Sequence, residues 1–443
     1  MSFVRCMKCR ECGREVPVRP QAICEGCFGP LELKYDYEAI GRAVRRSDLA
    51  NRPASMWRYR ELLPTGTDRP VGEEVGFTPL VPAPRLGKAL GIRSLFLKND
   101  AVNFPTLSFK DRVVSVALTQ AREFGFKVVG CASTGNLANA VAAQGVRAGF
   151  ETYILVPEDL ETLKIIGTAV FGSRLIAVRG DYDQVNRLCS EIAFTYSWGL
   201  VNVNLRAFYA EGSKTQGFEI AEQLGWKLPA HVVVPMAGGA LIGKVAKAFE
   251  ELSRLGWVDE RRVRFHGAQA SGCAPITTAV KQGWDEVRPV RAHTIARSLA
   301  IGNPADGYYA MQLIRSSGGW GEDATDEELV DGIRLLAETE GIFSETAGGV
   351  TVAVARKLVA QGRIGGDGPV VLCITGNGLK TAECVASCAR PTATINPRLE
   401  EFRKVVDGAS GNEVETEVEA ADSGREISTA TDVNATPVRE TLA

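Results

Sequence analysis

From about residue 36 to 395, short β-branched runs alternate with longer amphipathic stretches, joined by Gly-containing turns. The clearest runs are Val128-Val129-Gly130-Cys131-Ala132, Thr152-Tyr153-Ile154-Leu155-Val156, Leu175-Ile176-Ala177-Val178, Val232-Val233-Val234-Pro235 and Val370-Val371-Leu372-Cys373-Ile374. Apolar at almost every position, they predict strands buried on both faces of a sheet. Between them, stretches such as 181–196 start with Asp181 and place Val185, Leu188, Cys189 and Ile192 at spacings of three and four, a helix with one apolar face. Strand–helix alternation of this kind predicts a parallel, helix-covered sheet, an α/β fold. Two segments stand apart. Residues 1–30 carry Pro17, Pro20, Pro30 and few large aliphatics, too little for a core of their own. From Asp407 onward the chain is rich in Glu, Asp, Ser and Thr, with no aromatic residue and no period, so 407–443 is expected to be a disordered acidic tail.

Composition narrows the class. With 443 residues, 45% hydrophobic and 23% charged, the chain has the material for a large core of more than one structural unit. Lys plus Arg number 51 and Asp plus Glu 53, a net charge of −2, so no global field is available to hold a polyanion and no nucleic-acid partner is expected. No run is long and apolar enough for a membrane span, and the first residues lack the apolar stretch of a signal peptide; no membrane partner and a cytoplasmic location are expected.

Five of the 11 cysteines fall in the first 27 residues. Cys9 and Cys12 form one C-x-x-C pair, Cys24 and Cys27 a second, with eleven residues between them. Each short loop lets two thiolates reach one ion, and four soft ligands suit structural Zn²⁺ with no open coordination position. Cys6 offers a competing pair that shares Cys9, so the register stays open at this stage.

Four segments in the body sit where an α/β sheet places ligands, at strand ends and helix N-termini. Pro105-Thr-Leu-Ser108-Phe-Lys110-Asp-Arg112 leads into a helix with Lys110 in its first turn, where the positive end of the helix dipole favours the neutral amine a Schiff base needs. Ser133-Thr134-Gly135-Asn136 follows the run 128–132 and opens an Ala-rich helix; its hydroxyls suit an anion or simply cap the helix. Met236-Ala237-Gly238-Gly239-Ala240-Leu241 follows the run 232–235, and its small residues let backbone amides approach a phosphate. Thr375-Gly376-Asn377-Gly378-Leu379-Lys380 follows the run 370–374 and puts a hydroxyl at the same sheet edge.

A lysine, an anion cradle, a Gly-rich phosphate loop and a strand-end hydroxyl are the parts of a pyridoxal-phosphate site. In order and spacing these segments resemble the fold type II pyridoxal-phosphate enzymes (tryptophan synthase β-like). Two further stretches, Asn202-Val-Asn204-Leu-Arg206 with Glu211-Gly-Ser-Lys214-Thr215, and Ile295-Ala-Arg-Ser298 with Ile301-Gly-Asn-Pro304, are similar to the threonine synthase family within them. The resemblance spans about residues 1–395, ribbon included. It implies two α/β domains with the site between them, a larger one over 36–125 and 206–395 and a smaller one over 126–205, behind a zinc-ribbon segment 1–35. It implies pyridoxal 5'-phosphate on Lys110, its ring hydroxyl bonded to Asn136, its phosphate on the backbone of Ala237, Gly238, Gly239, Ala240 and Leu241, and its ring nitrogen near Thr375. Ser133 and Thr134 would meet the substrate carboxylate; Ser108, Asn204, Arg206 and Lys214 would meet a substrate phosphate; Cys9, Cys12, Cys24 and Cys27 would hold the metal. The implied reaction converts O-phospho-L-homoserine and water to L-threonine and phosphate, in a homodimer. A threonine dehydratase or a cysteate-synthase-like enzyme is the alternative. The chain departs from the family pattern at Phe104, where Asn is usual, and at Leu107, where Gly is usual.

Overall fold

The computed structural model of the chain describes residues 2–133, 135–158, 162–180 and 182–409. Three sheets organise residues up to 387. The smallest has the order β2-β1-β3, with β1 Val4–Cys9, β2 Glu15–Val16 and β3 Leu31–Tyr35, all antiparallel. β3 alternates strictly, with Leu31, Leu33 and Tyr35 buried and Glu32 and Lys34 turned away, so its apolar face packs onto the α/β body.

The largest sheet has the order β12-β11-β10-β13-β5-β4. β5 (Leu95–Asn99), β10 (His231–Pro235), β11 (Arg264–Ala270), β12 (Gly321–Ala324) and β13 (Val370–Ile374) run parallel, and only the edge strand β4 (Leu80–Pro82) is antiparallel to its neighbour. β10 and β13 are buried at every position, as expected for strands covered by helices on both faces.

The third sheet has the order β8-β7-β6-β9, all parallel, from β6 (Val128–Ala132), β7 (Glu151–Pro157), β8 (Arg174–Val178) and β9 (Gly199–Leu200). Here one expectation fails. The run 175–178 is not doubly buried: β8 is an edge strand, and Ile176 is 42% exposed. An edge strand has one neighbour and less helix cover, which an apolar sequence run does not reveal.

From residue 388 the described residues belong to a separate unit. Within it a helix spans Leu399–Ala409, with Leu399, Phe402 and Val406 on one side and Glu400 and Glu401 in its first turn. The acidic tail expected from 407 therefore begins inside a helix, whose spacing of three and four is set by residues that precede the acidic run. The remainder of that tail, 410–443, lies outside the described residues. No helix among the described residues is long and apolar enough to cross a membrane.

Candidate active site

A cavity of about 960 Å³ opens between the two parallel sheets, lined from one side by Ser133, Gly135 and Asn136 and from the other by Lys110, residues 235–241, Glu345 and Thr375. Lys110 begins the helix Lys110–Glu123. Two contacts fix that helix start to the end of β13: Phe109 N–H donates to the Thr375 carbonyl at 2.8 Å, and Ser108 forms an antiparallel bridge with Gly376. Lysine and strand-end hydroxyl are thus held together by backbone. The preceding turn is pinned by Asp111, whose carboxylate accepts from Thr106 N at 3.0 Å and Thr106 Oγ1 at 2.8 Å. Burial pushes the Asp111 carboxyl up to about 6, against the pull of those Thr106 bonds. Leu107 has φ +58°, the left-handed backbone a glycine adopts freely, so the turn keeps its shape despite the bulkier residue.

Lys110 Nζ donates to Tyr209 Oη at 3.0 Å. Tyr209 lies on the helix Arg206–Gly212, which also brings Arg206 to the cavity. Arg206 Nη2 donates to Asp306 Oδ2 at 2.6 Å. Across the cavity, Asn136 heads the helix Asn136–Arg147 and donates through Nδ2 to Glu345 Oε2 at 2.7 Å, while Thr375 Oγ1 donates to Glu345 Oε1 at 3.2 Å. Glu345 is 2% exposed, and Gly376 makes room for it: a Cβ there would sit 2.5 Å from its carboxylate. Ser133 Oγ accepts from Gly135 N and Ala138 N, each at 3.1 Å, capping the helix while facing the cavity.

The loop 237–239 enters the helix Ala240–Arg254 through Gly239, at φ +89°. The space where a Cβ of Gly238 would lie is open. The amides of the first helical turn have no intrahelical acceptor, so this end of the cavity is built for an anion. Lysine amine, open anion cradle, amide and hydroxyl face one volume, and this donor set fits pyridoxal phosphate.

Of the residues expected at a substrate phosphate, the structure brings only Arg206 to the cavity. Lys214 is fully buried, ion-paired with Glu211 at 2.8 Å and Glu251 at 3.0 Å, and donates to the Leu62 carbonyl. A charge sealed among two carboxylates is a core element, not a ligand. Asn204 accepts from Leu200 N at 2.8 Å and donates to the Trp198 carbonyl at 2.9 Å, which spends both ends of its amide on a turn. Ser108 is buried and does not line the cavity, and its Oγ has no hydrogen-bond partner among the described residues. Thr134 lies outside the described residues. Sequence reasoning missed Tyr209, Asp306 and Glu345; of these, Tyr209 lies inside a stretch it singled out, between residues 202–206 and 211–215.

The sulfurs of Cys9, Cys12, Cys24 and Cys27 lie within 4.8 Å of one another, with Cys6 outside the group. Cys9–Cys27 and Cys12–Cys24 are 3.4 and 3.8 Å apart, close to the roughly 3.8 Å edge of a tetrahedron with 2.3 Å metal–sulfur bonds. Gly26 N–H donates to Cys24 Sγ at 3.4 Å, and the amides of Gly26 and Cys27 hold that thiol below its ordinary value.

Residues 71–376 match the family model described as pyridoxal-phosphate dependent enzyme. A threonine synthase of Methanocaldococcus jannaschii is 36% identical over 402 residues, 90% of this chain and 98% of the relative. One from Methanosarcina acetivorans is likewise 36% identical, over 91% of this chain and 98% of its own length. The chain belongs to the threonine synthase family of pyridoxal-phosphate-dependent enzymes. Among solved structures, diaminopropionate ammonia lyase from Escherichia coli shares the fold with a TM-score of 0.61 at 18% identity, covering 77% of this chain and 91% of that one. Threonine deaminase isoform 2 from Solanum lycopersicum gives 0.57 at 21%, over 75% and 83%. In this threonine synthase family member the lysine, the Gly-rich loop and the strand-end threonine occupy one cavity.

Proposed function

We propose that the chain converts O-phospho-L-homoserine and water to L-threonine and phosphate. The observation that carries this reading is that the Lys110 amine, the Arg206 guanidinium and the Gly-rich turn 238–240, open at Gly238, line one cavity. Pyridoxal phosphate, when bound, supplies an electron sink for charge developing at the substrate carbons. Lys110 would hold it, Asn136 and Thr375 would meet its ring, and the backbone of 237–241 its phosphate. Glu345 fixes those two ring contacts by accepting from both side chains.

Lys110 then removes a proton from Cα and manages the proton at Cβ, a role suited to an amine whose position is set by a hydrogen bond to Tyr209. Ser133, at a helix N-terminus, takes the substrate carboxylate. Arg206 takes the substrate phosphate, which leaves from Cγ with the electrons of its C–O bond; Cγ and Cα each regain a proton and the hydroxyl of water adds at Cβ. Arg206 keeps guanidinium donors beyond the one spent on Asp306.

The four cysteines hold a structural Zn²⁺ in this reading, supported by the sulfur spacings and the amide donated to Cys24. In this reading the larger domain is 36–125 and 206–395, its residues 388–395 falling in the separate unit, and the smaller one is 126–205; the homodimer rests on the family resemblance alone.

The test is threonine formation from O-phospho-L-homoserine by the cofactor-loaded protein, with Lys110→Ala as control. Threonine and phosphate in equal amounts, absent in the variant, are expected. A loaded protein that yields 2-oxobutyrate from threonine, and no threonine from phosphohomoserine, overturns the substrate assignment in favour of a dehydratase.

A further inference from the structure

The loop between the first two clustered cysteines reaches the active-site wall. Cys9 and Cys12 bracket Arg10 and Glu11, and both side chains are engaged on the helix Gly307–Ser317 and the residue before it. The Arg10 guanidinium lies 3.4 Å from the centroid of the Tyr309 ring, and the Tyr309 hydroxyl donates to the Glu11 carboxylate. Arg10 Nη1 is also 3.8 Å from Asp306 Oδ1. The other carboxylate oxygen of Asp306 accepts from Arg206. The Asp306 backbone supports the anion cradle: its N–H donates to the Gly238 carbonyl at 2.9 Å, and its own carbonyl is 3.0 Å from where a Cβ of Gly239 would stand.

Asp306 is therefore shared between the cysteine loop, the guanidinium in the cavity and the Gly-rich turn. Its charge matters as much as its position. Asp306 would neutralise Arg206 if it served that guanidinium alone; Arg10, 3.8 Å from its other oxygen, shares its charge, while the Glu11 carboxylate is engaged by Tyr309. While Arg10 stays in place, a dianionic phosphate meets an Arg206 guanidinium that Asp306 compensates less.

We propose that the four-cysteine site is a positioning device for anion binding: its ion holds the Arg10–Glu11 loop against Asp306 and Tyr309, and Asp306 in turn sets the orientation and effective charge of Arg206. Arg10 and Asp306 are positioning residues. This inference rests on the zinc reading above, but not on the identity of the substrate.

The measurement is the dissociation constant of inorganic phosphate for the holoenzyme, read by calorimetry, with zinc content and thermal midpoint followed on the same samples. Arg10→Ala that retains its zinc is expected to bind phosphate roughly three- to tenfold more weakly, and Arg10→Lys to recover part of the loss. In turnover, KM for the phosphorylated substrate rises by a similar factor while kcat changes less. Wild type stripped by chelator should show the same weakening, reversed by added zinc. Unchanged phosphate affinity in zinc-loaded Arg10→Ala overturns the proposal, as does protein that takes up no zinc. Weakening in the stripped protein alone overturns the route through Arg10. Loss of phosphate affinity in Arg10→Ala from a protein that makes no threonine leaves this inference standing and sinks the substrate assignment instead.

Discussion

Glu345 joins two side chains that reach the cavity from different sheets, Asn136 behind β6 and Thr375 behind β13. Replacing it with Ala removes one acceptor from each, and a charge-assisted bond is worth about 1.5–3 kcal/mol, so cofactor affinity should fall roughly ten- to a hundredfold. An absorbance titration of apoprotein with pyridoxal phosphate measures this; affinity equal to wild type would show that the carboxylate orients nothing. Tyr209→Phe addresses the other end of the cavity. Loss of the hydroxyl that accepts from Lys110 should lower kcat by roughly tenfold or more in steady-state assays, with KM little altered. Lys110 and Thr375 were legible in sequence because each sits in a distinctive run next to a strand. Glu345 was not, because its neighbours Ser344 and Thr346 look like ordinary helix-start residues and the contact with Asn136 spans 209 positions.

Helices carry the instructive failure. Glu211 and Lys214 are three residues apart, and sequence spacing places them near one another without saying which way they face. They face inward, where Lys214 meets Glu251 from the helix Ala240–Arg254 and Tyr35 from β3 caps Glu211. Lys214→Ala should therefore cost about 3–5 kcal/mol of stability by leaving two carboxylates buried with reduced compensation. Denaturant unfolding reads that loss, and the fraction that folds should keep the wild-type KM; a raised KM with full stability would restore Lys214 to the substrate site. Strand positions, by contrast, were legible where the run is apolar throughout: 128–132 and 370–374 match β6 and β13 end to end, whereas β5, β11 and β12 carry Lys98, Arg264, His266 and Glu322 and give no such run. Burial of β8 was not, since an edge is decided by what pairs with it rather than by its own residues.

At the scale of the molecule, the larger sheet rests on a sealed ionic core. Arg112 pairs with Asp100 and Glu219, and Lys98 also pairs with Glu219, all fully buried. Burial alone would raise the Glu219 carboxyl, but Arg112 and Lys98 outweigh it and hold it at about 2. The unfolded chain binds that proton near pH 4.5, so the stabilisation is complete above that value and drains away as pH falls toward 2. Acid titration of the unfolding midpoint should show this limb, and Glu219→Gln should flatten it while lowering stability at neutral pH. The order in which this molecule can be assembled follows from the Lys214 cluster. Tyr35 finds its partner 176 positions downstream, and Tyr37 finds Glu251 after 214. At about 5–20 residues per second of synthesis, the finished β3 waits roughly 10–40 s on the ribosome before the carboxylates that receive it have been made. β3 and the cysteines before it are thus made ahead of the elements that receive them, and the cysteines pass that interval without a wall to lean on.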